Sequence, residues 1–457
     1  MISSTGKNRL AALLIALAAC GPVFAQPAAP QAQAARQQPR TFQFALQNGM
    51  QVLVVPDRRA PVVTQMLWFR VGSVDDPPGL SGMAHFFEHM MFRGTKAVPG
   101  DQFSLTVSRN GGEEDAFTTH DYTCFYEQIA RDRLPLIMGL EADRIASLDL
   151  SDANVNTERE IVLEERRMRI DNDPQALMRE QLEAALHLSH PYGRPVIGWP
   201  EEIRRIDRLS AQSFYTHHYA PNNAILVVAG DITPDEVRKD AEAAFGKVPA
   251  RDLVPRWQFA QPPRLAETRM TIVRPDVKVP VFLRIYRVTS YTEATPGKAE
   301  ALEVLAQLMG GDVTSALYRG LVVQKKIATE VGASYDGYNR DSGEFFVYAI
   351  PRPGVKIEAV ERAIDGVIAA FSGNLPSPAD LARAKTQLVA NATYRRDSQY
   401  ELASTYGQAL VIGLTVDDVE QWPDRIRAVT GNDVRQAAKN SLIRKEAVTG
   451  YLLPGGK

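Results

Sequence analysis

The chain repeats itself at a fixed interval, and this repeat constrains its fold more than any other feature. Pro56 and Pro61 recur as Pro275 and Pro280, each 219 positions later and each pair flanking the start of a strand-like apolar run. With 457 residues, the chain also exceeds the size at which one hydrophobic core stops growing. The repeat therefore predicts two homologous domains that arose by internal duplication.

The local patterns within each repeat are those of a mixed fold. Apolar runs of strand length occupy residues 42–46, 51–55, 61–71 and 224–230, and the first two flank Asn48-Gly49, a hairpin signal. Helical periods cover residues 134–147 and the acidic stretch 156–168, where Ile161, Val162 and Met168 are expected to pack inward. We predict the α+β class, with two sheet-plus-helices domains that face each other across a cleft.

The N-terminus is typical of an export signal. Lys7 and Arg9 precede a short apolar stretch, and Val23-Phe24-Ala25 is typical of a signal peptidase site. We expect cleavage after Ala25. The alternative is a lipobox, Leu17-Ala18-Ala19-Cys20, with cleavage before Cys20 and a lipid anchor on it. Both predict an exported, periplasmic protein.

Composition divides the rest of the chain. Residues 26–40 are rich in Gln, Pro and Ala and are expected to form a flexible leader. The stretch around residues 247–267 is rich in Pro and charge, so we predict domains at 41–255 and 268–457. The net charge of −2 does not indicate a nucleic-acid partner, and no apolar run in the mature chain is long enough to predict a transmembrane helix.

The pentapeptide His85-Phe86-Phe87-Glu88-His89 carries the strongest chemical signal. Side chains four residues apart lie on one face of a helix, so both imidazoles can reach one metal ion, with the Glu88 carboxylate beside them. This is the inverted H-x-x-E-H arrangement of zinc peptidases. It predicts a Zn²⁺ site in which a carboxylate from elsewhere completes the ligand set.

The acidic stretch is the best source of that third ligand. It offers four carboxylates, from Glu158, Glu160, Glu164 and Glu165. Most of them are expected to lie on a solvated helix face. Spacing alone does not indicate which one turns inward.

Several segments resemble one family of enzymes. They are residues 79–95 around the histidine motif, Gly111–Thr119, Glu158–Glu165 and His190-Pro191-Tyr192-Gly193. Together they are similar to the pitrilysin/insulinase family of zinc peptidases. The branch is the half-length one, which includes the mitochondrial processing peptidase subunits and bacterial exported zinc proteases.

The resemblance implies a function and a set of roles. It implies a zinc metalloendopeptidase acting on peptides or unfolded polypeptide segments. His85, His89 and Glu158 would be the zinc ligands and Glu88 the general base. The segment Asp115-Ala116-Phe117 would bind substrate backbone, with Asp115 standing where the family usually has Asn.

A second departure from the family concerns the residues that stabilise the oxyanion formed from the scissile carbonyl. The family's second half often carries an Arg and, seven residues later, a Tyr that reach the scissile carbonyl; here those positions hold Val322 and Thr329. The alternative function is therefore a weak or non-catalytic peptide-binding subunit that needs a homologous partner. A homodimer or a heterodimer of that kind is expected.

The repeat places the active centre in the first domain only. Aligned through it, the three motif positions fall on Leu302, Leu305 and Ala306 in the second copy. These apolar side chains cannot bind a metal ion, so the second domain is expected to scaffold the site.

Overall fold

The computed structural model describes residues 41–455. The expected signal peptide, the leader 26–40 and the candidate lipid site at Cys20 lie outside the described residues. Within residues 41–455, no helix is both long and apolar enough to cross a membrane.

The described strands are β1 (Phe42–Ala45), β2 (Gln51–Pro56), β3 (Val62–Phe69), β4 (Glu113–Thr118), β5 (Thr123–Ala130), β6 (Ala224–Gly230), β7 (Thr268–Arg274), β8 (Val281–Val288), β9 (Ala328–Asp336), β10 (Gly343–Pro351) and β11 (Ala447–Pro454). The α-helices of the first half are α1 (Met83–Met90), α2 (Gln102–Arg109), α3 (Leu134–Ser147), α4 (Asp152–Arg166), α5 (Pro174–Leu186), α6 (Pro200–Ile203), α7 (Arg208–His218) and α8 (Pro234–Ala244). Those of the second half are α9 (Lys298–Gly310), α10 (Ile357–Gly373), α11 (Pro378–Arg395), α12 (Gln399–Ile412), α13 (Val416–Ala428) and α14 (Gly431–Ser441).

The strand order confirms the internal duplication. The first sheet runs β1-β2-β6-β3-β5-β4 and the second runs β7-β11-β8-β10-β9. Without β1 the two orders are the same. The sense also matches, since β2 pairs with β6 in parallel and β7 pairs with β11 in parallel, while the other pairs are antiparallel. The α+β class with two sheet-plus-helices domains is therefore confirmed.

One helix of each half packs against the sheet of the other half. The apolar face of α5 packs on the second sheet, where Leu182 lies beside Ile285 and Val448. Conversely, α12 of the second half packs on β3 and β6 of the first sheet, where Tyr406 lies near Trp68. Burying these faces ties the halves together, and residues 249–267 between them form no helix or strand.

The second copy of the histidine motif is apolar, as the repeat predicts. Leu302, Leu305 and Ala306 lie on α9, the helix equivalent to α1, and all three are buried. They belong to the core of the second half, which packs α9 against β9. This half therefore uses the position for packing.

The predicted inward face of the acidic stretch is wrong at two of three positions. Val162 is buried on α4, but Ile161 is 39% exposed and Met168 is 62% exposed. The α-helix ends at Arg166 and continues as one π-helical turn, Arg167–Asp171. Ile161 and Met168 lie seven residues apart, so about two helical turns bring them to the same exposed side of the helix, away from the side that buries Val162.

Candidate metal centre

The helix that carries the histidines is fixed at its N-terminus. Gly82 precedes α1 with a φ of 88°, and an added Cβ would come within 2.5 Å of the carbonyl oxygen of Ile197. The buried Asp76 carboxylate accepts hydrogen bonds from the backbone N–H groups of Gly82, at 2.7 Å, and Ala84, at 2.8 Å. A carboxylate at this end of a helix satisfies free N–H groups and complements the helix dipole.

The two imidazoles converge as the spacing predicts. His85 and His89 have ring centroids 4.8 Å apart. Their Nε2 atoms face the same carboxylate oxygen, Oε2 of Glu165, at 3.5 Å for His85 and 3.1 Å for His89. The three donor atoms all lie within 4.8 Å of one another.

The environment of one Glu165 oxygen is the feature of the site that best fits a bound metal ion. Its Oε2 is buried and, among the described residues, has no hydrogen-bond partner. A buried carboxylate oxygen that accepts no hydrogen bond is costly unless a cation lies beside it. Ligands about 2.0–2.1 Å from a tetrahedral Zn²⁺ lie roughly 3.3 Å apart, close to the separations seen here. Two imidazoles and one carboxylate are also one of the donor sets found in catalytic zinc sites.

Glu158 occupies a different place from the one the resemblance implied. Its Oε1 lies 2.8 Å from Nδ1 of His89, the ring nitrogen that faces away from Glu165, and its Oε2 accepts a hydrogen bond from Nε of Arg93. The candidate ligand set therefore contains Glu165, and Glu158 orients His89 instead. Both glutamates lie on α4 seven residues apart, so two helical turns bring them to the same face and each meets a different edge of one imidazole.

The protonation of the histidines follows from these contacts. Burial, reinforced by the neighbouring His89, lowers the pKa of His85 to about 4, so its ring is neutral at pH 7. For His89, burial acts to lower the pKa, but Glu158 and Glu165 raise it to about 9. A metal ion entering the site would displace that proton.

Glu88 lies beside the histidines with the environment of a proton acceptor. Burial raises the pKa of its carboxyl above the ordinary value, although a hydrogen bond from Thr118 opposes the shift. That bond runs from the Thr118 hydroxyl to Oε2 of Glu88 at 2.6 Å. Thr118 on β4 is a site residue that the sequence patterns did not single out.

The expected substrate strand lines the same cavity. Asp115, Ala116 and Phe117 belong to β4, the edge strand of the first sheet, and border a cavity of about 810 Å³ that also contains His85, Glu88 and His89. The exposed Asp115 accepts a hydrogen bond from the N–H of Ala116 at 2.8 Å. The Phe117 ring packs edge-on against Trp68 at 5.6 Å.

Val322 and Thr329 lie apart from this cavity. Val322 packs against the core of the second half, and the Thr329 hydroxyl donates to the carbonyl of Ile350 at 3.2 Å. The residues that line the cavity all fall between His85 and Ile197. Among the described residues, the second half therefore contributes no lining group to it.

Comparisons with known proteins show the family to which the chain belongs. The model for insulinase, peptidase family M16, matches residues 51–199, and the model for the peptidase M16 inactive domain matches residues 205–388. A Mycobacterium leprae protein named uncharacterized zinc protease is 31% identical over 332 residues, covering 70% of this chain and 71% of that protein. This chain belongs to the insulinase family of peptidases, M16.

Two further comparisons bear on its architecture. A probable mitochondrial-processing peptidase subunit beta from Arabidopsis thaliana is 23% identical over 425 residues, covering 91% of this chain and 79% of that protein. The crystal structure of a protease from Helicobacter pylori superimposes with a TM-score of 0.85 at 24% identity, covering 91% of this chain and 100% of that chain. The likeness to the Helicobacter pylori structure shows a shared fold.

Proposed function

We propose that this chain is a zinc metalloendopeptidase that hydrolyses peptides or unfolded polypeptide segments. The observation that carries the proposal is the convergence of two imidazole Nε2 atoms on the unpartnered Oε2 of Glu165, beside the Glu88 carboxylate. Zinc bound there by His85, His89 and Glu165 would supply Lewis-acid polarisation of a peptide carbonyl and make water nucleophilic near neutral pH.

Glu88 is the residue that moves the proton. Its carboxylate accepts a proton from the attacking water and returns it to the leaving amine. Thr118 holds one carboxylate oxygen in place, and burial brings the proton affinity of Glu88 closer to that of a base working near neutral pH. The two residues come from α1 and β4, so the base is fixed between a helix and the edge strand.

The edge strand supplies the means to hold an extended peptide. β4 pairs with β5 on one side and is the last strand of its sheet, so its other edge is available for backbone hydrogen bonds. Backbone pairing reads the extended shape of a peptide more than its sequence. Broad action on unfolded segments follows, with Asp115 to Phe117 in contact with substrate.

Glu88→Gln tests the peptidase directly. The amide keeps the size of the side chain but cannot accept the proton, so hydrolysis should fall by about 10²–10⁴-fold while zinc content stays at one ion per chain. Glu113→Gln, an exposed carboxylate on β4, is the matched control and should leave the rate unchanged. A Glu88→Gln variant with wild-type turnover would contradict the proposal.

A second candidate function is a subunit that reaches full activity only with a homologous partner. The placement of Val322 and Thr329 away from the cavity favours it, since no donor from the described part of the second half reaches the site. The Arabidopsis relative carries the name of a subunit. A second copy of this chain has the same Val322 and Thr329, so the partner that completes the site would be a homologous chain with Arg and Tyr at those positions. Turnover that rises when such a chain is added would support this candidate, and full turnover by this chain alone would contradict it.

We also propose that the chain is exported to the periplasm. The support is the N-terminal pattern of basic, apolar and small residues that ends at Ala25. N-terminal sequencing of the protein from its native host should begin at Gln26. A blocked, lipidated Cys20 would replace this cleavage by the lipid anchor, and an intact Met1 in the cytoplasm would contradict export.

A further inference from the structure

We infer that Arg169 is a positioning residue that sets which oxygen of Glu165 faces the metal centre. The inference rests on the proposed zinc site and deepens it. Nη1 of Arg169 lies 2.9 Å from Oε1 of Glu165, the oxygen opposite the unpartnered Oε2. The guanidinium therefore holds one oxygen of the carboxylate while the other points at the two imidazoles.

The local backbone explains how Arg169 reaches this place. Directly after α4, the chain makes one π-helical turn in which the N–H of Asn172 donates to the carbonyl of Arg167 at 3.1 Å. Such turns are rare and are frequently found at functional sites. The Arg169 side chain lies four residues beyond Glu165, where helical neighbours meet, and lines the same cavity as the histidines.

The turn itself is anchored by a buried neighbour. Arg166 donates from Nη1 to Oε2 of Glu180 on α5, at 2.7 Å, and to the carbonyl of Gly198, at 2.9 Å. Its Nε also lies 3.5 Å from Asp171 at the end of the turn. These contacts hold the backbone on both sides of Arg169. They therefore fix the position from which its side chain extends towards Glu165.

Two of the candidate metal ligands are each held by an outer partner, a residue that contacts the ligand but does not itself face the metal position. Glu158 holds Nδ1 of His89, and Arg169 holds Oε1 of Glu165. His85 has a buried Nδ1 for which the described structure gives no partner. Outer partners of this kind typically change metal affinity by 10–100-fold. Because the Arg169 side chain is 71% exposed, solvent screens its ion pair and the lower end of that range is expected.

The chain offers a matched control on the same turn. Arg167 is also exposed and pairs with Glu164, which is exposed and is not part of the candidate ligand set. Arg167→Gln removes the same charge from the same π-helical turn as Arg169→Gln does. A difference between the two variants therefore reports the contact with Glu165 and not the loss of net charge.

The experiment measures zinc dissociation constants by chelator competition for wild type, Arg169→Gln, Arg169→Lys and Arg167→Gln. Arg169→Gln should weaken zinc binding about tenfold, Arg167→Gln less than twofold, and Arg169→Lys should fall between wild type and the Gln variant. In 1 M salt the difference should shrink, since screening there acts within about 3 Å. The visible spectrum of bound Co²⁺ should shift in Arg169→Gln but not in Arg167→Gln.

The outcomes separate this inference from the function on which it rests. Equal zinc affinity and equal Co²⁺ spectra for Arg169→Gln and wild type would overturn the role of Arg169 and leave the peptidase intact. Equal weakening by Arg167→Gln would overturn it as well. A wild-type chain that binds no zinc would overturn both. Unfolding curves of the metal-free variants should coincide, which excludes a general loss of stability.

Discussion

The Glu158 carboxylate lies 2.8 Å from Nδ1 of His89, on the side of the ring that faces away from the other candidate ligands. Nε2 of the same ring is left to face Glu165. One imidazole thus stands between two carboxylates of a single helix. Their roles are predicted to differ, although their chemistry and their position on α4 are alike.

The first prediction separates the two glutamates. Glu165→Gln removes a proposed ligand, so zinc affinity should fall by more than the 10–100-fold typical of an outer partner. Glu158→Gln removes the orienting bond to His89 and should fall within that range. Zinc dissociation constants measured by chelator competition check both values. A larger loss in Glu158→Gln than in Glu165→Gln would restore Glu158 as the ligand.

The second prediction concerns the helix that the second half lends to the first sheet. Gly407 on α12 faces Trp68, and an added Cβ would lie 2.1 Å from the indole Nε1. Gly407→Ala should therefore lower the free energy of unfolding by about 1–3 kcal/mol through overpacking. Urea unfolding measures the change.

Gly366 supplies the control for that substitution. It lies within α10, and an added Cβ would meet nothing within 4 Å. Gly366→Ala should raise the free energy of unfolding by about 0.4–1 kcal/mol, because alanine has less backbone freedom to lose. If Gly407→Ala were equally stabilising, α12 would not pack on Trp68 as described.

The third prediction is a pH dependence of stability. Burial lowers the pKa of His218 to about 4, against about 6.5 in an unfolded chain. Between these values the unfolded state binds the proton and the folded state does not, so stability falls as the pH drops from 6.5 towards 4. At pH 5 the free energy of unfolding that is lost through His218 amounts to at most about 2 kcal/mol.

The adjacent His217 tests that assignment, because it is exposed on the same helix, α7. With a chelator present throughout, urea unfolding at pH 7 and pH 5 should show a smaller loss in His218→Gln than in wild type. His217→Gln should follow wild type. A His218→Gln variant that loses as much stability as wild type would show that the ring is protonated in the folded state.

Much of the fold is predictable from the repeat. Pro56 and Pro275 mark the ends of equivalent strands, β2 and β7, because proline lacks the N–H that a strand interior needs. The His85 and His89 pair was predictable because a four-residue spacing fixes two side chains on one helical face. Both inferences depend on local geometry alone.

The features that spacing along the chain does not determine depend on contacts between elements. Glu158 and Glu165 share one face of α4, and only the path of α1 across that face decides which oxygen meets Nε2 of His89. Ile161 and Met168 share one side of the helix, and which side faces the core is set by the elements that pack against α4. The role of Thr118 depends on a strand 30 residues beyond Glu88 that meets α1, which no spacing along the chain encodes.

Anomalous diffraction at the zinc edge, from crystals grown with zinc, tests the central claim most directly. A single peak within about 2.2 Å of His85 Nε2, His89 Nε2 and a Glu165 oxygen is predicted, with the Glu158 carboxylate on the opposite edge of the His89 ring. A peak bound by Glu158 in place of Glu165, or no peak between the two imidazoles, would contradict the account.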